Sequence, residues 1–92
     1  MLVWKMNMKV VYTKHVEKKL KSFKALGVII RKSNIEKTVR NPIHIDKVSD
    51  YPKIIASGEL DKNHIIRVVY KVENDIITVI TCYPTQKGRY FI

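Results

Sequence analysis

Two apolar, β-branched runs in the C-terminal half constrain the fold of this chain more than any other feature. The first covers residues 64–72 and the second residues 76–85, with the short polar segment 73–75 between them. β-Branched runs that flank a short polar segment are typical of a β-hairpin. Arg67 interrupts the first run. Because a buried unpaired charge is costly, we expect Arg67 to have a partner, solvent or a ligand beside it.

The length of the turn decides which polar groups of the hairpin meet. A two-residue turn at 74–75 places Arg67 opposite Cys82, whereas a three-residue loop at 73–75 places it opposite Thr81 and beside Tyr83. We favour the three-residue loop because it separates a dry face from a polar face, and the buried side sets the register. The dry face would then carry Ile66, Val68, Tyr70, Val72, Ile76, Ile80 and Cys82.

Size and charge limit the classes of protein to which the chain can belong. Its 92 residues are enough for one small domain with one core. The formal net charge is +10, and residues 1–53 hold 13 Lys and Arg against 4 Asp and Glu, whereas residues 54–92 hold 5 against 4. This asymmetry favours a polyanion or an acidic protein as a partner for the N-terminal half. The alternative is a lysine-rich helix that serves only solubility.

The remaining composition excludes several chemistries. A single cysteine, Cys82, cannot form an internal disulfide, and its β-branched strand indicates a core position rather than a nucleophile. His15, His44 and His64 lack metal-ligand spacing, and the three glycines form no phosphate loop, so we expect neither a metal nor a cofactor. No stretch is long enough for a signal peptide or a membrane span, which predicts a cytoplasmic protein without membrane contact.

The N-terminal half predicts a strand and a first helix. Residues 9–12 are a short strand, and Thr13 is a plausible N-cap for the helix. An apolar stripe, a solvent-facing set and a helix-ending Gly27 follow. The stripe consists of Val16, Leu20, Phe23 and Leu26, and the solvent-facing set consists of Lys14, Lys18 and Lys21, with Lys19 as a further candidate.

A second helix and more strands complete the prediction. Ser33 and Glu36 form a capping-box pattern, and this helix must end near Asn41 because Pro42 follows. Residues 43–48 and 53–57 alternate as strands do. The fold class is therefore α+β, with two layers: an N-terminal strand, two helices and then an antiparallel sheet, with both helices on one face. Residues 1–7 are expected to be peripheral, with Trp4 as their one candidate for core contact.

Several segments of the chain resemble a known family. They are residues 11–15 at the start of the first helix, the helix end at Asn41, residues 67–70 and residues 79–85. Together they resemble the domain-of-unknown-function family 4258. That family is similar in layout to the RelE/ParE and BrnT toxins, whose fold cleaves messenger RNA or inhibits gyrase and is neutralised by an antitoxin. The resemblance implies a single RelE-like domain over residues 8–92.

The resemblance also implies site residues. His15 matches the histidine at the start of the family's first helix, Arg67 the basic residue of its penultimate strand and Thr81 the threonine of its last strand. Residues 86–90 are similar to the basic, tyrosine-containing ends of RelE-type toxins. The implied catalytic set is His15, Arg67, Thr81, Arg89 and Tyr90.

These residue types suit RNA cleavage on chemical grounds. Attack of a 2′-hydroxyl on the neighbouring phosphate requires proton transfer and stabilisation of the charge that develops on the phosphate oxygens. A histidine such as His15 can transfer protons near neutral pH, and Arg67 can hold the scissile phosphate. Either Tyr83 or Tyr90 can stack on a base. The expected nucleic-acid-binding residues are Lys14, Lys18, Lys19, Tyr83 and Lys87.

Each candidate also has a structural alternative. His15 could be a helix-start residue bonded to backbone or to Thr81, Arg67 could pair with Glu17 or Glu59, and Tyr83 could be core. Two functions therefore remain open. One is a toxin-type endoribonuclease, which would cleave either free RNA or messenger RNA that is bound to the ribosome. The other is a non-catalytic basic module that binds nucleic acid or an acidic, antitoxin-like protein.

Overall fold

The computed structural model describes residues 8–88 as two helices and five strands. Residues 1–7, which include Trp4, lie outside the described part, as do residues 89–92. The elements in chain order are β1 Lys9–Tyr12, α1 Lys14–Ala25, α2 Lys32–Arg40, β2 His44–Asp46, β3 Ile54–Glu59, β4 His64–Glu73 and β5 Ile76–Gln86. Within residues 8–88, no helix is both long and apolar enough to cross a membrane.

The five strands form one mixed sheet in the order β1-β5-β4-β3-β2. Strands β2 to β5 pair antiparallel, as the sequence predicts, but β1 joins β5 in parallel, with Lys9 opposite Ile76 and Tyr12 opposite Val79. The predicted α+β class is confirmed, and the parallel pairing of β1 makes the sheet mixed. A parallel pair needs a long connection between its strands. Both helices separate β1 from the other strands along the chain, so β1 can join the free edge of β5 in parallel.

Helix α1 begins and ends where the sequence predicts. The Thr13 hydroxyl accepts the backbone N–H of Val16 at 3.3 Å, which satisfies one of the free donors of the first turn. At the other end, Gly27 has φ +87° and its N–H donates to the carbonyl of Lys24, while the N–H of Val28 donates to that of Phe23. This is a Schellman ending, which favours glycine at the left-handed position.

Helix α2 begins earlier than the capping-box pattern indicates. Its N-cap is Arg31, whose backbone N–H donates to the Asn34 side chain at 2.8 Å, so Ser33 lies inside the helix. Glu36 is therefore not a capping residue; its carboxylate accepts the hydroxyl of Tyr12 at 2.8 Å. The helix ends at Arg40, before Asn41 and Pro42, as expected.

The core joins residues of both helices to residues of the sheet. Val16 of α1 and Ile35 and Val39 of α2 are fully buried, and they belong to the same cluster as sheet residues of β3, β4 and β5. The sheet members of the cluster are Ala56, Ile66, Val68, Tyr70, Ile77, Val79 and Cys82. Leu26, the last residue of the predicted apolar stripe, is 78% exposed because it lies at the C-cap, beyond the last helical turn.

The favoured hairpin register is wrong at the turn. Glu73 lies opposite Ile76, so the turn has two residues, Asn74 and Asp75, with φ values of 52° and 61°. Two left-handed residues are the signature of a type I′ turn, whose twist matches that of the flanking strands. The core side chains beyond the turn are therefore Ile77 and Val79, rather than the predicted Ile76 and Ile80.

A bulge in β5 changes the register again before Arg67 is reached. Tyr70 lies opposite Val79, but Val69 lies opposite Thr81, so Ile80 is an extra residue in β5. Arg67 consequently lies opposite Tyr83, not Thr81. The difference from the favoured register is two residues at this point, and a shift of two preserves the side of the sheet. Arg67, Thr81 and Tyr83 do share one face, as the sequence predicts.

Gly58 lies inside β3, where the sequence predicts a turn after the strand. A Cβ atom built on Gly58 would lie 2.7 Å from Oγ1 and 3.2 Å from Cγ2 of Thr38 in α2. Thr38 is itself buried and donates its hydroxyl to the carbonyl of Asn34. The missing side chain of Gly58 therefore permits α2 to pack directly on the β3 backbone.

We expect Asp75→Gly to raise the free energy of unfolding by about 0.5–1 kcal/mol, because glycine adopts the left-handed conformation of the type I′ turn without strain. Urea denaturation measures the change. Asp50→Gly, in the connection between β2 and β3 and without positive φ, is the control and should not stabilise. A neutral or destabilising effect of Asp75→Gly would contradict the two-residue turn.

We expect Gly58→Ala to lower the free energy of unfolding by about 1–3 kcal/mol, because the added methyl group collides with Thr38. In a Thr38→Ala background the two closest atoms are gone, and the same substitution should cost less. A double-mutant cycle in urea measures this coupling. Additive effects would show that the two residues do not restrict each other.

Candidate nucleic-acid interface

The sheet face that is turned away from the core cluster carries a cross-strand row of polar residues. We call it the outer face. His44 of β2 lies opposite Ser57 of β3, Ser57 opposite Arg67 of β4, and Arg67 opposite Tyr83 of β5. Directly paired residues project to the same side of a sheet. One guanidinium, one imidazole and two hydroxyl groups therefore line a path across four strands.

Buried hydroxyl groups surround Arg67 on this face. Ser57 is 1% exposed, and its Oγ has no hydrogen-bond partner among residues 8–88. The same holds within this range for Oγ1 of Thr81 and Oγ1 of Thr85, which lie on either side of Tyr83 along β5. Hydroxyl groups both donate and accept, so this buried set makes the surroundings of the guanidinium polar.

Lys19 connects helix α1 to the outer face. Its Nζ lies 5.7 Å from the ring centroid of Tyr83 and 5.4 Å from that of Phe23. The position follows from the start of the helix, where the Thr13 hydroxyl donates to the carbonyl of Ile80 and the Thr13 N–H donates to the carbonyl of Val79. These bonds fix α1 beside the part of β5 that extends beyond β1. Unlike Lys14, Lys18 and Lys21, Lys19 is therefore only partly exposed.

His15 lies on the same side of α1 as Lys19. The two residues are four positions apart, which places them one turn apart on a helix. His15 is exposed, and within residues 8–88 it makes no hydrogen bond, to the backbone or to Thr81. It therefore faces solvent on the side of α1 that carries Lys19, and the structure records no contact between it and Arg67.

The expected ion-pair partners of Arg67 are engaged elsewhere. Oε2 of Glu17 lies 2.9 Å from Nζ of Lys32, and Oε2 of Glu59 lies 2.6 Å from Nζ of Lys87. Lys87 directly follows β5, and its ion pair with Glu59 holds its side chain toward β3 and away from Lys19. The lysine of the C-terminal tail is thus not part of the group around Tyr83.

The other predicted site residues divide into three groups. Lys14 and Lys18 are exposed on α1, with side chains directed to solvent. Tyr83 is partly buried on the outer face and is not a member of the core cluster. Arg89 and Tyr90 lie outside the described residues. Arg67, Thr81, Tyr83 and Lys19 are thus the predicted residues that the fold brings close together.

Sequence reasoning missed His44, Ser57 and Thr85. A serine or threonine within a strand is ordinary, and β3 was predicted to end at Ser57, so nothing in the local pattern indicated a shared row. Only the pairing of β2 with β3 and of β3 with β4 aligns these residues with Arg67.

Cys82 is a core residue, as its strand indicates. It is fully buried, and burial raises the pKa of its thiol to about 11. The thiolate is the reactive form of cysteine, so this thiol is unsuited to nucleophilic work. Among residues 8–88, no cluster of three or more His, Cys, Asp or Glu side chains could hold a metal ion.

We expect the Cys82 thiol to react with Ellman's reagent only when the protein unfolds. At pH 8, the raised pKa keeps the thiol protonated, and burial excludes the reagent. Colour should form at a negligible rate in buffer and at once in about 6 M guanidinium chloride, which unfolds the protein completely. Rapid reaction in buffer would contradict the buried position.

Comparison with known proteins adds no identification. No protein-family model, no curated protein and no solved structure matches the chain. The resemblance to family 4258 and to the RelE/ParE and BrnT toxins therefore stays a prediction from the sequence, and the site must be interpreted from its own geometry.

Proposed function

We propose that this protein binds single-stranded RNA across a surface made of α1 and the β5 side of the outer face. We call it the RNA surface and define it by Lys18, Lys19, Arg67, Thr81 and Tyr83. The observation that carries the proposal is the position of Lys19 over the ring of Tyr83, because it joins the lysine-bearing helix to the row that contains Arg67.

Charge supports a polyanion as the ligand of this surface. Helix α1 has five lysines and one acidic residue, Glu17, which pairs with Lys32. The single carboxylate of α1 is therefore already paired with a lysine, and its repulsion of a phosphate backbone is reduced. Lysine and arginine side chains that neutralise phosphates release counterions, which supplies most of the sequence-independent affinity for nucleic acid.

The aromatic and hydroxyl groups favour single-stranded RNA over a duplex. Unstacked bases bind aromatic rings such as that of Tyr83, whereas bases inside a helix are not accessible for stacking. The hydroxyl group of Tyr83, whose side chain is only partly buried, could bind a 2′-hydroxyl, the group that distinguishes RNA from DNA. In a RelE-like arrangement, both helices would form one layer over the opposite face of the sheet, and the partly exposed side chains of Lys19 and Tyr83 would be the groups that meet RNA.

A binding experiment tests this proposal. Fluorescence anisotropy with a labelled 12-nucleotide oligouridine, about the length one such domain covers, should give a Kd that rises with salt. The double variant Lys18→Ala/Lys19→Ala should weaken binding and reduce the salt slope by about 1–2. The matched control Lys47→Ala/Lys53→Ala removes the same charge from the connection between β2 and β3 and should leave binding nearly unchanged.

Replacement of the aromatic ring separates stacking from charge. Tyr83→Ala should lower the binding free energy by about 1–3 kcal/mol with an unchanged salt slope, because stacking involves no counterion release. Tyr51→Ala is the matched control, since Tyr51 is 81% exposed and lies in the connection between β2 and β3. Equal losses in the two variants, or equal losses in the two lysine pairs, would contradict the assignment of the RNA surface.

RNA cleavage is the second candidate function, and one observation favours it. His15 lies one helical turn from Lys19, so a group that can transfer protons adjoins the proposed phosphate path. In such a reaction Arg67 would hold the scissile phosphate, and His15 would take the proton from the attacking 2′-hydroxyl. As the 2′-oxygen bonds to phosphorus, the bond to the 5′-oxygen would break, and that oxygen would take a proton from water. This would be the chemistry of a toxin-type endoribonuclease, and it would need no metal.

The cleavage reaction has a specific test. Purified protein, incubated with end-labelled RNA in the presence of a chelator, should produce fragments that end in a 2′,3′-cyclic phosphate. His15→Asn should abolish cleavage without changing the Kd. An RNA with 2′-deoxyuridine at the cleaved nucleotide should bind and remain intact. Binding without any cleavage by the unaltered protein would leave the binding function alone.

A further inference from the structure

A second cationic site lies beside α2. A cleft of about 370 Å³ opens between α2 and the connection from β3 to β4. We call it the α2–β3 cleft, and it is lined by Asn34 and Lys37 of α2, by Glu59, Leu60, Asp61 and Lys62 at the end of β3 and in the following turn, and by Lys87, which follows β5. Cavities of this size accommodate small organic ligands.

The carboxylates at this cleft are already engaged by groups of the protein. Glu59 accepts a hydrogen bond from Nζ of Lys87, and this contact lowers the pKa of Glu59. Asp61 accepts the backbone N–H groups of Asn63 and His64 and lies 2.9 Å from Nδ1 of His64. Both carboxylates are thus partly satisfied by these contacts, and the Lys37 ammonium also helps to lower the pKa of Glu59.

Two lysines of the cleft make no close ion pair. Lys37 and Lys62 form no ion pair with any of the residues 8–88, and both are exposed. They line the same cleft as Lys87. Three ammonium groups and the two carboxylates of Glu59 and Asp61 line this concave surface, and its net positive charge attracts an anion.

One side of the cleft is less polar than the side that carries the lysines. Leu60 is partly buried against the core, and a smaller cavity of about 180 Å³ shares Lys37 and Glu59 with the cleft. That cavity includes Ile43, an exposed apolar side chain, and Asn41. An apolar surface with an amide beside it suits a flat organic group attached to the anion.

We propose that the α2–β3 cleft binds a phosphate-bearing ligand, with the phosphate between Lys37, Lys62 and Lys87. The phosphate competes with Glu59 for the ammonium group of Lys87, and the organic part of the ligand lies toward Ile43 and Asn41. This site is separate from the RNA surface, and it can exist whether or not the RNA surface binds RNA. Its phosphate can belong to a free nucleotide or to the end of an RNA chain.

Titrations followed by ¹H–¹⁵N correlation spectra test the site with three probes. The probes are inorganic phosphate, adenosine 5′-monophosphate and a short oligouridine with or without a 5′-phosphate. We expect saturable shifts of the amide signals of Asn34, Leu60 and Lys62. Tighter binding of the mononucleotide than of the oligouridine identifies a free nucleotide as the ligand, and binding only of the 5′-phosphorylated oligouridine identifies an RNA end.

Two substitutions with opposite effects make the test specific. Lys62→Ala should weaken the binding of adenosine 5′-monophosphate by about threefold, because one exposed charge contact is lost. Glu59→Gln should strengthen it by about threefold, because the amide of similar shape no longer holds Lys87 as an ion pair. Lys53→Ala, which removes an exposed lysine outside the cleft, is the matched control and should change nothing.

The outcome also separates this site from the RNA surface. Lys18→Ala/Lys19→Ala should leave the mononucleotide affinity unchanged even if it abolishes binding of the unphosphorylated oligouridine. Absence of saturable shifts in the cleft with all three probes would overturn the proposal. So would equal weakening by Lys62→Ala and Lys53→Ala, since it would show that general charge determines binding. An unchanged affinity in Glu59→Gln would show that the ligand does not compete for Lys87, and it would overturn the proposal too.

Discussion

The pairing of β4 with β5 is the constraint on which the rest of the structure depends. These two strands are the longest and lie at the centre of the sheet, between β3 on one side and β1 on the other. Their type I′ turn directs Ile77 and Val79 into the core, and the bulge at Ile80 then advances β5 by one residue. Without that extra residue, the alternation would turn Cys82 away from the core and Tyr83 toward it. The bulge therefore keeps Cys82 buried and the row of Arg67 and Tyr83 on the outer face.

Carboxylate use explains where the excess positive charge of the chain remains available. Glu17 is bound by Lys32, Glu59 by Lys87 and Asp61 by its own turn. Glu36 accepts the hydroxyl of Tyr12, and burial together with this bond raises the pKa of Tyr12. Each pairing fastens one element to another or closes a turn, so the acidic residues serve the fold. The lysines of α1, together with Lys37 and Lys62, are left to face solvent, which gives two separate cationic surfaces.

The candidate site could be predicted only in part. Arg67, Thr81 and Tyr83 were identifiable because a polar residue in a β-branched run contradicts its surroundings, and they do lie on one face. Ser57 and His44 could not be found, because they belong to strands with ordinary composition and join the row only through pairing across β2, β3 and β4. Lys87 and Lys19 had looked equivalent as basic residues near the site. Their neighbours differ, since Lys19 contacts an aromatic ring and Lys87 an acidic side chain.

The sequence by itself determined the features that depend on local interactions. Thr13 and Gly27 delimit α1, Pro42 ends α2, and two β-branched runs make a hairpin. Helix capping, the closed ring of proline and the branching of side chains all act within a few residues of the chain. Tertiary structure alone decided the parallel addition of β1, the bulge at Ile80 and the contact of Gly58 with Thr38. The pairing of β1 and the contact of Gly58 join segments that are distant in sequence. The bulge lets the apolar side chains of both β4 and β5 be buried on the same face. The energy that selects them comes from packing, and packing is defined only when all of the elements are in place.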